Sequence, residues 1–131
     1  MELHLKIIGW LLLPLALIHL IFPKRFNWAM EFRGLSLLNR QMMYVHTFFI
    51  ALTVLLIGLL CISSAEDLTQ TQIGHRICFG LGIFWAFRLF IQFFGYSSEL
   101  WKRKRFETTI HIIFSFLWTY FTAIFFMCSW A

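Results

Sequence analysis

Ile77-Cys-Phe-Gly-Leu-Gly-Ile-Phe-Trp-Ala-Phe-Arg88-Leu-Phe-Ile-Gln92-Phe-Phe94 is an apolar run of 18 residues broken by two polar side chains. A helix of roughly 20 apolar residues crosses the hydrocarbon core of a bilayer. Arg88 follows Arg76 by twelve residues, so it falls near mid-depth of such a span. An arginine there costs at least ~2.5–3.5 kcal/mol on insertion scales, so it turns toward protein or water and takes a partner. Gln92 lies one helical turn further on, on the same face. The run therefore predicts a membrane helix with a polar stripe.

Outward from it, three more apolar segments recur, giving spans at about 5–22, 44–62, 77–96 and 109–130. The whole chain of 131 residues is 60% hydrophobic, 20% aromatic and only 13% charged. Soluble domains run nearer 45–50% apolar and about 25% charged. The expected fold is all-α: an integral membrane antiparallel four-helix bundle, residues 1–131 forming one transmembrane domain. The first segment contains Pro14 and ends in Pro23-Lys24-Arg25 with no small-residue cleavage site, so it reads as a retained helix. Pro14 removes a backbone donor and is expected to kink it.

The connections carry the charge. Residues 23–43 interleave Lys24, Arg25, Arg33 and Arg40 with Phe26, Trp28, Met30 and Phe32, a pattern suited to the headgroup plane. Ser36 is a candidate N-cap for the second span. Residues 63–74 are polar, with Glu66 and Asp67 placed for the start of the third span. Residues 97–108 hold Lys102-Arg103-Lys104-Arg105. These two basic connections share one side and hold eight basic residues; the opposite side holds Lys6 and Arg76. The positive-inside rule puts the basic side in the cytoplasm and both termini outside. The net charge of +5 is thus a topology and lipid signal and not a nucleic-acid signature.

Helical spacing gathers the remaining polar residues. Trp85, Arg88, Gln92 and Gly95/Tyr96 form one stripe. Thr108, His111, Ser115, Trp118 and Thr122 form another, and Asn39, Met43, His46, Ile50 and Thr53 a third. His19 joins them one turn before the end of the first span. No Asp or Glu lies inside a span; Glu99 and Glu107 sit at the cytoplasmic rim and Glu31 in the first connection. An anionic ligand that supplies the missing charge is one consequence. Helix N-termini and Arg40 flank the same end, which favours a phosphate, carboxylate or lipid headgroup. The candidate ligand-binding set is Arg88, Gln92, His46, His111, Arg40 and His19, for an anionic lipid or amphiphile.

Two alternatives stand beside it. The same cluster can simply tie helices together, as polar side chains in membrane bundles often do. Alternatively, His46 and His111 can ligate a b-type haem in a small redox protein. A metal site on His19, His46 and His111 lacks the close ligand pairs that zinc and iron favour, so no metal and no cofactor is expected otherwise. Cys61, Cys78 and Cys128 lie toward the outer side. They contain no Cys-x-x-Cys, and packing is the expected role, with a disulfide the alternative. Gly58, Gly80, Gly82 and Gly95 are expected to allow close helix approach. Nothing resembles a nucleophile–base pair or a phosphate loop, so no reaction is assigned.

Asn39-Arg40-Gln41 before the second span and Trp85-x-x-Arg88-Leu89-x-x-Gln92-Phe93 in the third resemble a group of small four-helix bacterial membrane proteins. The resemblance covers the middle of the chain. It implies the fold and a bacterial inner membrane, and it carries no activity.

Overall fold

In the computed structural model, residues 1–25, 27–94 and 105–130 are described, the side chain of Glu107 excepted. The expectations attached to Phe26, Gly95, Tyr96, Glu99, Lys102, Arg103 and Lys104, and to the Glu107 carboxylate, lie outside the described residues.

The described chain is almost entirely helical: α1 (Glu2–Arg25), α2 (Trp28–Glu31), a 3-10 turn (Phe32–Gly34), α3 (Leu37–Ser63), α4 (Ala65–Gln70), α5 (Gln72–Phe94) and α6 (Arg105–Trp130). Four of these, α1, α3, α5 and α6, are long and apolar enough to cross a membrane. Only 22–33% of each span is buried within the protein. Trp10, Leu17, Phe87, Phe94 and Phe116 are all more than 60% exposed. A protein folded in water rarely leaves contiguous apolar surface on this scale.

All four long helices begin before their expected starts, and α1 and α3 also run past their expected ends. α1 runs through both prolines to Arg25, so Lys24 and Arg25 form its last turn and complement the negative end of its dipole. Asn27 follows at φ 54°, a left-handed conformation that asparagine tolerates better than most residues. The aromatic rings of Trp28, Phe32 and Tyr44 cluster around this turn, with centroids 4.9–6.1 Å apart. Ser36 caps α3 as its sequence suggests, its Oγ accepting from the Asn39 N–H at 3.2 Å. Residues 37–43 thereby belong to the helix and not to the connection.

Glu66 and Asp67 do not start the third span. They occupy the first turn of the short α4. Thr71 caps α5 instead: its Oγ1 accepts from the Gly74 N–H at 2.9 Å and donates to the Asp67 carbonyl at 2.6 Å. Gly74 is needed here, because a Cβ would collide with the Asp67 carbonyl and the Leu68 Cα.

The chain divides into two compact units: Met1–Leu5 with Glu66–Ala131, and Lys6–Ala65. Within the second, α1 and α3 pack antiparallel at glycines. A Cβ on Gly9 would lie 2.7 Å from the Gly58 carbonyl, and one on Gly58 3.1 Å from the Leu12 Cβ. Within the first, α5 and α6 pack antiparallel. The paired residues run in opposite order: Gln92 with His111, Trp85 with Trp118 and Phe121, Phe79 with Phe126, Cys78 with Cys128. The core of this pair is Trp85, Trp118, Phe121, Phe125, Cys78 and Cys128, all no more than 4% exposed.

Candidate functional site

The polar stripes of α5 and α6 meet at Gln92. Its side chain is 6% exposed, and an amide buried among apolar groups must satisfy its hydrogen bonds locally. Its Oε1 accepts from Arg88 Nη1 at 3.4 Å and from the Trp118 indole N–H at 3.4 Å. Its Nε2 faces His111 Nδ1 at 3.0 Å and the His111 carbonyl at 3.4 Å. Two donors on the oxygen assign the amide orientation, so Nε2 donates and His111 Nδ1 accepts. A neutral imidazole that accepts at Nδ1 carries its proton on Nε2.

Arg88 is half-buried. Its Cζ lies 5.1 Å from the centroid of the Trp118 ring. Such a cation–π contact is worth about 0.5–2 kcal/mol, more as water is excluded. Trp118 stacks in turn with Trp85, at 5.0 Å and 15°, and with Phe114, at 5.3 Å and 16°. The Trp85 indole nitrogen is buried and has no hydrogen-bond partner among the described residues. Among the described residues, a hydrogen bond along α5 and a ring from α6 both hold the guanidinium. Spacing alone picks out Arg88, Gln92 and His111. The double role of Trp118, donor to Gln92 and platform for Arg88, is not visible in the sequence beyond its i+7 relation to His111.

The remaining stripe residues turn to their own helices. The Ser115 and Thr122 hydroxyls donate to the carbonyls of His111 and Trp118, one turn back, at 2.7 and 2.8 Å. Arg40, His46 and His19 belong to the other compact unit. His46 is exposed, and its Nδ1 donates to the Met42 carbonyl at 2.7 Å. His19 is half-buried, and its Nδ1 donates to the Leu15 carbonyl at 2.8 Å. Arg40 has a buried Nε with no hydrogen-bond partner among the described residues. The buried face of α3 runs through Thr47, Ala51, Val54, Gly58 and Cys61, one residue on from the stripe Met43, His46 and Ile50, which is exposed.

An open cleft of about 520 Å³ is lined by Met1, Glu2, Leu3, Thr69, Gln70 and His75. It lies at the start of α5, thirteen residues from Arg88 or roughly 20 Å along the helix, and is separate from the Gln92 cluster. Among the described residues, no three His, Cys, Asp or Glu side chains stand close enough to hold a metal ion. No family model, curated protein or solved structure matches this chain.

Proposed function

We propose that this chain is an integral protein of a bacterial inner membrane, with both termini on the periplasmic side, that binds an anionic lipid or amphiphile on the α5–α6 pair. The observation that carries the reading is the fixing of Arg88 between Gln92 and Trp118. A planar guanidinium suits phosphate and carboxylate groups, and holding it in one direction before binding lowers the entropy lost on binding. Arg88 also keeps part of its surface exposed, which a headgroup needs. Arg88 is the charged contact, Gln92 and Trp118 position it, and His111 holds Gln92.

A second reading, a purely structural tie between α5 and α6, draws support from the same network, since Gln92 is satisfied by protein groups alone. The haem reading has less support. Its His111 ligand would need a nitrogen lone pair, and the Nδ1 lone pair is engaged by Gln92.

Melting curves and an absorption spectrum of the detergent-purified protein separate the three. Phosphatidylglycerol is expected to raise the melting temperature of the wild type, where phosphatidylcholine does not. A ligand at a hundred times its Kd stabilises by about 2.7 kcal/mol. Arg88→Leu is expected to abolish the rise, and Arg88→Lys to reduce it. No rise in the wild type, or an equal rise in Arg88→Leu, overturns the binding reading and leaves the structural one. A Soret band in the purified protein would establish haem instead.

A further inference from the structure

We propose that Cys78 and Cys128 form a redox-active dithiol that closes to a disulfide between α5 and α6. The two Sγ atoms lie 2.9 Å apart on facing helices. A disulfide needs ~2.05 Å, so closure requires an approach of roughly 1 Å, within reach of small side-chain rotations. Both thiols also converge on one acceptor, the Leu68 carbonyl of α4, at 3.8 Å from Cys78 and 3.4 Å from Cys128. Cysteines that serve only as small apolar filler have no need to place their sulfurs together. This geometry is independent of the lipid reading and of the sidedness of the chain.

The chemistry is thiol–disulfide exchange. One thiolate attacks a sulfur of a disulfide oxidant and expels one thiolate. The second cysteine then attacks the mixed disulfide and expels the other. The cysteine pair loses two protons and two electrons, and the oxidant gains them as two thiols. Both cysteines are 0% exposed, so the oxidant reaches them when structure opens locally. Cys128 lies in the last turn of α6, two residues before Trp130, where a helix frays most readily. The closed disulfide would join α5 and α6 at the end opposite the Gln92–His111 bond, fourteen residues or about 21 Å along α5.

The test oxidises the purified full chain with oxidised glutathione, denatures it, alkylates it with N-ethylmaleimide and measures intact mass and peptides. The expected product has lost two hydrogen masses, carries one maleimide on Cys61, and yields a linked Cys78–Cys128 peptide. Reduction before alkylation is expected to give three adducts. Cys61→Ala is expected to form the same link with no adduct. Three adducts after oxidation, a lasting glutathione adduct without a link, or a link through Cys61 would each overturn the proposal. Cys78→Ala and Cys128→Ala should lose the link. The decision rests on the wild type and Cys61→Ala, which keep both sulfurs in place.

Discussion

Gln92 dictates the direction of every hydrogen bond around it. With its oxygen turned to Arg88 and Trp118, its nitrogen must donate to His111. The opposite orientation would set an NH₂ against two N–H donors. The expected outcome by ¹⁵N NMR is a neutral His111 with its proton on Nε2 and a lone pair on Nδ1; a proton on Nδ1 would contradict the assignment. Gln92→Leu removes the acceptor of two donors in a buried setting. An unsatisfied buried donor costs about 1–3 kcal/mol. Polar ties between membrane helices average nearer ~0.6 kcal/mol, because the unfolded helices also find partners. A loss of about 1 kcal/mol is therefore expected for Gln92→Leu, read as a lower melting temperature in detergent. An unchanged melting temperature would remove Gln92 from any role in stability.

At the scale of the elements, the glycines divide sharply. A Cβ on Gly82 would lie 2.8 Å from the Phe126 ring, while one on Gly80 meets nothing within 4 Å. Gly80→Ala is thus expected to be neutral or slightly stabilising, since alanine is better in a helix by about 0.5–1 kcal/mol. Gly82→Leu overpacks the α5–α6 contact and is expected to cost about 1–3 kcal/mol. Gly9 tolerates less still, because a Cβ there would meet the Gly58 carbonyl at 2.7 Å, and backbone cannot swing aside as a ring can. Thermal unfolding of Gly80→Ala, Gly82→Leu and Gly9→Ala in detergent checks this, with Gly80→Ala expected to unfold last. Gly80→Ala falling with the other two would show that something besides Cβ clearance governs these helices.

For the whole molecule, the distribution of charge is the argument for sidedness. Lys24, Arg25, Arg33, Arg40 and Lys102 to Arg105 fall in, or in the helix ends beside, the two connections proposed as cytoplasmic. Reporter fusions after Phe32 and Arg103 are expected to be active on the cytoplasmic side, and fusions after Asp67 and at the C-terminus on the outer side. The reverse pattern would turn the Arg88 cluster toward the other leaflet and leave its internal geometry intact. Opposite signals from Phe32 and Arg103 would contradict the proposed pairing of the two basic connections.

The sequence by itself determined the number of long helices, because length and hydropathy alone decide whether a segment can span a bilayer. It also determined the pairing of Arg88 with Gln92, since residues four apart share a helix face whatever surrounds the helix, and the Ser36 cap, which is a local bond. The stripes on α5 and α6 marked their inward faces, but the rotation of α3 was beyond the sequence: the stripe chosen there fell one residue from the buried one. The start of α5 was misread because Glu66 and Asp67 suit any helix N-terminus, while the Thr71 cap depends on how closely Gly74 returns to α4. Only tertiary structure decided that Trp118 serves Gln92 and Arg88 together, and that Cys78 meets Cys128 fifty residues away. Those contacts depend on the register between two packed helices, and register arises from the fit of Gly82 against Phe126 and of Trp85 against Trp118, which no single-helix periodicity encodes.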